Sequence, residues 1–452
     1  MTGANEPCPV LPTTFQIPGL DYTGLDANQT QFDNFSWQLF VALNWPADKN
    51  GQPVGTLAQG SSAKRVWEYF PTTDEVFGSN NGGGCTSHDL PTFSSIAKSG
   101  SLTQAASQSP GTEAMLTALG TQTGKILQAT GQPLIDRNGN YVLYDIRVSV
   151  DEKTYIQNNG LTTQAGQEKY GKDIVFPAAD EKKIGALEIK TSWRILPEPD
   201  SGYYTIKAQI SLGANETENG KPACLPVTLG LVGMHIMAKP SAGYDVNSWT
   251  WSTIEHRSNA PLATGAPQPV DGNHPVPSVP CSAVAPTSTA FSFYNPSCTS
   301  GGKACPLNTP PAKPAGGYKW NTSGPPYAPA SLLYDGKYGT QAARCWAVFQ
   351  PTDALNTLWA AKLEAVDPAG PWKNYFVVST QWVSTQVHGN HLTFDQRMVP
   401  RYLSNVTMET YIQPDGSCMS CHKGAPDLAK KDANFSFFLL NGAPGTGAPA
   451  KP

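Results

Sequence analysis

The longest apolar run of the chain lies within Val227-Thr-Leu-Gly-Leu-Val-Gly-Met-His-Ile-Met-Ala238. Counted from Thr228 it has 11 residues, whereas a membrane-spanning helix needs about 20. A short continuous apolar segment of this kind is typical of a buried β-strand. His235 and Met237 share one face of that strand because side chains alternate. A buried imidazole there needs a hydrogen-bond partner or a metal.

Segments with strand periodicity recur on both sides of this run. They are Ala186–Leu196, Tyr203–Leu212, Ser248–Ile254 and Tyr375–Ser384. Leu134–Val148 reads as a hairpin that turns at Asn138-Gly139, since Asn-Gly favours a tight two-residue turn.

Helix periodicity is found in four other segments. They are Thr30–Asn44, Gly111–Gln128, Asp353–Leu363 and Arg401–Ile412. Thr30 can cap the first helix, and Pro46 stops it. Together the elements predict an α+β fold, in which a mostly antiparallel β-sheet core carries peripheral helices.

Composition excludes several classes of protein. The 452 residues contain 31 Lys+Arg and 35 Asp+Glu, a net charge of −4, with only 15% charged residues. We therefore expect no nucleic-acid partner, because that function leaves a basic surface. The 42 Gly and 40 Pro favour β-structure with long connections over a helical bundle.

The chain divides into three predicted regions. Residues 1–258 form the α+β domain. Residues 259–330 hold 15 of the 40 prolines together with much Ser and Thr, and we interpret them as an excursion pinned by cysteines. In residues 331–452 the periodic pattern resumes, and this C-terminal region is predicted to pack on the first domain.

The cysteines indicate the compartment. They are Cys8, Cys85, Cys224, Cys281, Cys298, Cys305, Cys345, Cys418 and Cys421. The first seven are scattered, which favours disulfides of a periplasmic or secreted protein over a zinc ribbon. Seven is an odd number, so we expect at most three bridges and one free thiol, with Cys298 paired to Cys305 across a short loop. The first residues do not resemble a signal peptide, and we expect it to have been removed.

The last two cysteines belong to Cys418-Met-Ser-Cys421-His422, a c-type haem attachment sequence. Two thiols three positions apart can form thioethers with the two vinyl groups of one haem, and the adjacent imidazole then binds the iron. The alternatives are a zinc site or a disulfide between Cys418 and Cys421. A structural zinc site of Cys and His needs two more ligands, and no other Cys or His lies within twenty residues of the motif. We predict one covalently attached haem c, with His422 as the proximal iron ligand.

The position of the motif limits the sixth ligand of the iron. The 30 residues after His422 contain no Met and no His. A sixth ligand therefore comes from upstream, or the site is open. His235 and His256 are the preferred candidates, and a hydrogen-bonded core histidine is the alternative for each. Weaker candidates are His88, His274, His388, His391, Met398 and Met408.

A polar strand face offers candidates for acid–base chemistry. Alternation places Glu188, Lys190 and Arg194 on one side of the strand Ala186–Leu196. Such a face is usually solvated. If it faces a haem pocket instead, these groups, with Glu255, are candidate catalytic residues that exchange protons or stabilise charge.

The attachment motif resembles those of cytochromes c. More of the chain is similar to a poorly characterised group of bacterial, periplasmic, single-haem proteins. That similarity lies in Phe32–Pro46, Gly230–Ile236, Trp251–His256 and Met408–Tyr411. The resemblance implies haem and export, and it implies no reaction.

Three functions remain open. The first is a periplasmic mono-haem cytochrome that transfers electrons to or from a redox partner protein. The second is a haem oxidoreductase, peroxidase- or oxygenase-like, with an open distal site for a small-molecule substrate. The third is a haem-based sensor or binding module. Iron coordination separates them, because six-coordinate iron favours electron transfer and an open site favours catalysis or sensing.

Overall fold

A computed structural model describes most of the chain. The described residues are 6–14, 25–58, 63–78, 84–86, 90–94, 126–128, 130–241, 249–270, 275–383 and 398–443. The helices are α1 (Leu25–Leu43), α2 (Thr73–Phe77), α3 (Val150–Asn158), α4 (Gln164–Tyr170), α5 (Gln350–Val366) and α6 (Cys418–His422). The strands are β1 (Thr92–Ser94), β2 (Leu143–Val148), β3 (Leu187–Leu196), β4 (Thr205–Leu212), β5 (Ala223–Ala238), β6 (Thr250–His256), β7 (Thr299–Ser300), β8 (Lys303–Ala304), β9 (Tyr375–Val383) and β10 (Met398–Val399).

Strand β5 contains the apolar run and organises the main sheet. Its 16 residues pair antiparallel with β3 along one edge. On the other edge it pairs first with β4 and then with β6, which is extended by β9 and β10. The pairing is antiparallel throughout except between β1 and β4. The fold is therefore α+β with a mostly antiparallel sheet, as predicted, and the four strands around β5 match their predicted segments closely.

The C-terminal region completes this sheet. Strand β9 pairs with β6, so residues of the third predicted region lie in the same sheet as residues of the first. None of the helices in the described ranges is both long and apolar enough to cross a membrane.

Helices α1 and α5 cover one face of the sheet. Trp37 and Trp359 stack with ring centroids 5.6 Å apart, and the indole N–H of Trp37 donates to Asn356 at 2.9 Å. Helix α1 begins at Leu25, so the prediction that Thr30 caps it is wrong, although its end at Leu43 agrees with the stop at Pro46. The predicted helix Asp353–Leu363 is confirmed as the centre of α5.

The segment 400–443 covers the opposite face. Its predicted helix at Arg401–Ile412 is wrong, since the structure has consecutive turns there. The reason is side-chain competition with the backbone: Asn405 Oδ1 accepts from the N–H of Thr407 at 2.9 Å, and Asn405 Nδ2 donates to Thr253 of β6 at 2.9 Å. Gly233 permits the close approach, because a Cβ atom there would lie 2.5 Å from Thr407 Oγ1.

The predicted hairpin forms only at its tip. Asp136 Oδ1 accepts from the backbone N–H groups of Asn138 and Asn140, each at 2.9 Å, and Gly139 has φ +76°. Beyond this turn β2 pairs with β3 instead of with the first arm. Of the predicted helix Gly111–Gln128, residues 111–125 lie outside the described residues, and the remainder is a turn and a bridge.

Three disulfides are formed. The predicted Cys298–Cys305 bridge is present, with the short strands β7 and β8 between its cysteines. Cys85–Cys224 and Cys281–Cys345 join segments distant in sequence, and Cys8 keeps a free thiol. This is the expected pattern of three bridges and one leftover cysteine, and it is typical of proteins from oxidising compartments.

Candidate functional site

The attachment motif folds as one helical turn, α6. Ser417 caps it, because its hydroxyl accepts from the N–H of Ser420 at 3.3 Å. Cys418 and Cys421 are three positions apart and therefore lie on the same side of the turn. Their sulfurs are not joined to each other. The turn thus presents two separate thiols and the imidazole of His422.

Gln381 of β9 anchors this turn to the sheet. Its side-chain oxygen accepts from the N–H of Met419 at 2.8 Å. Its amide nitrogen donates to Ser417 Oγ at 3.0 Å and to the carbonyl of Pro400 at 2.7 Å. Both Gln381 and Met419 are fully buried. The position of the motif is therefore fixed by hydrogen bonds from the sheet.

The imidazole of His422 is oriented by the segment that follows. Its Nδ1 lies 2.7 Å from the carbonyl oxygen of Phe435. A carbonyl only accepts, so Nδ1 carries the hydrogen and Nε2 keeps its lone pair. The rings of Trp251 and Phe437 meet the imidazole edge-on, with centroids 5.9 and 5.0 Å away. Burial lowers the pKa of His422 to about 4, so the neutral form that binds metals is maintained.

The two thiols are held in their neutral form. Burial raises the pKa of both Cys418 and Cys421, the latter to about 11, and the carboxylate of Glu409 raises both further. Redox-active thiol pairs and zinc-binding thiolates require the opposite shift. Within the described ranges, no three His, Cys, Asp or Glu side chains converge to hold a metal ion. A haem iron needs only axial side chains, since the porphyrin supplies its other ligands.

His235 is the predicted second ligand that the structure brings to this region. It lies on β5 opposite Lys190 of β3 and Thr253 of β6. Its Nε2 lies 3.4 Å from Glu409 Oε2 and forms no aligned hydrogen bond within the described part of the chain. A buried ring nitrogen without a hydrogen-bond partner is costly, so it is a candidate for a ligand.

Glu409 links His235 to the motif. The N–H of Asn405 donates to its Oε2 at 2.8 Å. Burial alone would raise the pKa of Glu409, but the charges of His235 and Lys190 outweigh it and lower that pKa. The same charges contribute to the low pKa of His422. These side chains and the two thiols therefore form one electrostatically connected cluster.

The polar face of β3 is covered by the C-terminal segment, although Glu188 and Lys190 each keep part of their surface exposed. Glu188 receives a hydrogen bond from Ser436, and Lys190 interacts with Glu409. Further along the same strand, Ser192 Oγ lies 2.6 Å from Thr407 Oγ1. The structure thus brings Glu188 and Lys190 to the segment that carries the motif.

Arg194 and Glu255 are engaged elsewhere. Arg194 forms a buried ion pair with Asp136 at 3.0 Å, and burial raises the pKa of Asp136. Both oxygens of Glu255 accept from the guanidinium of Arg344, at 3.0 and 2.7 Å. These paired charges serve the fold. Glu255 also reaches the C-terminal segment, because its Oε1 accepts from the N–H of Val406 at 2.8 Å.

His256 is a hydrogen-bonded core histidine. Its Nδ1 lies 2.8 Å from Ser258 Oγ, its Nε2 lies 2.8 Å from the carbonyl oxygen of Gly202, and its ring stacks on Tyr203 at 4.1 Å. It lies five positions along β6 from Trp251, a distance of about 16 Å along a strand. Both ring nitrogens are occupied, so the structure does not support His256 as an iron ligand.

The weaker candidates contribute little. Met408 is fully buried in an apolar cluster with Val406 and Tyr144. The others lie outside the described residues, or have side chains that do; they are His88, His274, His388, His391 and Met398.

Sequence reasoning missed Gln381, Glu409 and the Phe435 carbonyl. Nothing in the local pattern marks them, because each acts on a residue 13 to 174 positions away. Compared with models of known protein families, with curated proteins and with solved structures, the chain matches none.

Proposed function

We propose that the chain is an exported, periplasmic mono-haem c-type cytochrome that transfers electrons through a covalently attached haem. The observation that carries this proposal is the hydrogen bond from His422 Nδ1 to Phe435, which leaves Nε2 available on the same turn as two thiols that are not joined in a disulfide. The resemblance of the motif to cytochromes c and the three disulfides agree with it.

The residues have distinct proposed roles. Cys418 and Cys421 would form thioethers with the haem, and His422 would be the proximal ligand. A haem bound there supplies an iron that alternates between two oxidation states. His235 is the proposed second ligand because its buried Nε2 forms no aligned hydrogen bond in the described part of the chain, with Glu409 Oε2 at 3.4 Å. Gln381 positions the turn, and Phe435 fixes the tautomer of His422.

Covalent attachment is tested by a denaturing gel. The protein is expressed in cells that attach haem c, and haem-dependent staining is measured as wild type, as C418A/C421A and as C8S. Cys8 is a matched control because it too lies outside the three disulfides. Staining should stay with wild type and C8S and be lost in the double variant. An unstained wild-type band, or a stained double variant, contradicts the proposal.

The alternative of a haem oxidoreductase is favoured by one observation. Lys190, His235 and Glu409 place an amine, an imidazole and a carboxylate beside the motif, as acid–base chemistry on a small molecule would require. A spectrum of the reduced protein with carbon monoxide separates the two functions. Electron transfer predicts low-spin iron that does not bind carbon monoxide, with binding gained in H235A. Carbon monoxide binding by the wild type supports the oxidoreductase.

A further inference from the structure

A fully buried and a partly buried carboxyl group face each other behind the attachment motif. Glu152 lies on α3 and is completely inaccessible to solvent, and Glu188 lies on β3. Among the described residues, three of their four oxygens, both of Glu152 and Oε1 of Glu188, accept no aligned hydrogen bond. The nearby backbone N–H of Leu187 favours the ionised form of Glu152, but it does not outweigh the effect of burial. Two ionised carboxylates offer only acceptors, so the contact between them becomes a hydrogen bond only when one is protonated.

The surrounding charges do not remove the need for that proton. Lys239, at the end of β5, donates instead to the carbonyl of Phe176 at 2.8 Å and to Asn434 Oδ1 at 3.1 Å. It lowers the pKa of Glu152 only as a minor contribution, whereas burial and the Glu188 carboxylate raise that pKa well above its usual value. Burial also raises the pKa of Glu188, to about 7.

The remaining charged groups near the pair belong to the cluster that Lys190, His235 and Glu409 form beside the motif. Lys190 is two positions from Glu188 on the same face of β3, and His235 lies opposite Lys190 on β5. Glu409 interacts with both of them. Lys190 and His235 therefore act on Glu409, while the carboxyl pair is left to be neutralised by a proton.

The pair is connected to the predicted iron ligand through one short stretch of backbone. Glu188 is hydrogen-bonded to Ser436, and the preceding residue, Phe435, accepts from His422 Nδ1 at 2.7 Å. Across the sheet Glu188 is paired with Met237, which packs in the same apolar cluster as Met419 and Phe435. A charge added at His422 therefore acts on the pair through a medium with little water.

We infer that Glu152 and Glu188 share one proton and that this pair binds a proton when the adjacent redox centre is reduced, so that electron transfer is coupled to proton uptake. The inference rests on the proposed function and extends it. One electron enters from a one-electron donor, and one proton enters from solvent and converts a carboxylate of the pair to a carboxylic acid. Oxidation returns both. The added negative charge raises the proton affinity of the pair, which is the direction that coupling requires.

The test is the pH dependence of the midpoint potential of the haem-loaded protein, measured for wild type, E188Q and E152Q. Covalent haem is first verified in each sample on the denaturing gel. We expect the wild-type potential to fall as pH rises through neutrality, and either substitution to reduce that slope by more than half. Glu181, an exposed carboxylate, gives the matched control E181Q, which should keep the wild-type slope.

A second measurement on the wild type alone avoids dependence on variant folding. The infrared difference spectrum between the reduced and oxidised protein should show a gain of carboxylic-acid C=O absorption. A haem-loaded wild type whose potential is independent of pH, or which shows no such band, overturns the inference and leaves the proposed function intact. A wild type without covalent haem overturns both. The inference is also overturned when E181Q reduces the pH dependence of the midpoint potential as much as E188Q does.

Discussion

Replacing Gln381 with Leu tests whether the sheet positions the attachment motif. Leucine keeps most of the side-chain volume but removes the hydrogen bonds to Pro400, Ser417 and Met419. At about 1 kcal/mol net for each of these bonds, we expect a loss of about 3 kcal/mol. The loss should be concentrated at α6, because the buried N–H of Met419 is left without its acceptor.

Gln128 provides a matched control for this substitution. It is also a buried amide, and it donates to Thr407 at 3.1 Å and Thr410 at 2.7 Å while accepting from the N–H of Thr410 at 3.2 Å. Q128L therefore removes the same number and kind of bonds from the C-terminal segment, but none from α6. Both variants should lose similar free energy of unfolding in urea.

Hydrogen exchange followed by mass spectrometry separates the two variants. A local opening that costs about 3 kcal/mol less corresponds to about 100-fold faster exchange, since 1.4 kcal/mol is tenfold. We expect this acceleration in the peptide that contains Met419 for Q381L and not for Q128L. Equal exchange of that peptide in both variants would refute the argument that Gln381 positions the motif.

Three further predictions concern stability. Burial raises the pKa of Glu188 from its usual 4.5 to about 7, so the free energy of unfolding of the wild type falls as pH rises between these values. E188Q has no proton to lose there, and its free energy of unfolding should rise relative to that of the wild type by up to about 3 kcal/mol over this pH range. Urea denaturation at several pH values measures this difference. R344M leaves the fully buried Glu255 unpaired and should cost about 4 kcal/mol, of which R344M/E255Q should recover a large part; no recovery would show that the charge is not the cause. Loop lengths of 139 and 7 residues predict that removing Cys85–Cys224 costs about 5 kcal/mol and removing Cys298–Cys305 about 2, and a reversed order of melting temperatures would contradict the entropic argument.

The strands of the sheet were predictable because burial on one face imposes alternation on the sequence. Segments such as Ala186–Leu196 carry that pattern locally, and the structure places β3 within one residue of it. The motif at Cys418 was predictable for a similar reason, since the spacing of its thiols is set by one helical turn.

The contacts that complete the site were not predictable. The segment at Arg401–Ile412 has helical periodicity, but Asn405 forms a turn with Thr407 and binds the sheet instead. The partners of the motif depend on tertiary pairing, and the acceptor at Phe435 is a backbone atom that any residue would supply. The polar face of β3 could not be distinguished from a solvated face until the cover over it was known.

That cover has a kinetic consequence. Strands β3 and β5 are close in sequence and can pair soon after both are synthesised. Residues 404–436, which cover Glu188 and Lys190, are more than 200 positions further along the chain. Contacts of such separation form slowly, because a long loop must close before they are made. In a nascent chain the charged face of β3 therefore stays in contact with water until the last tenth of the polypeptide docks. The same docking event brings the two thiols to their final position.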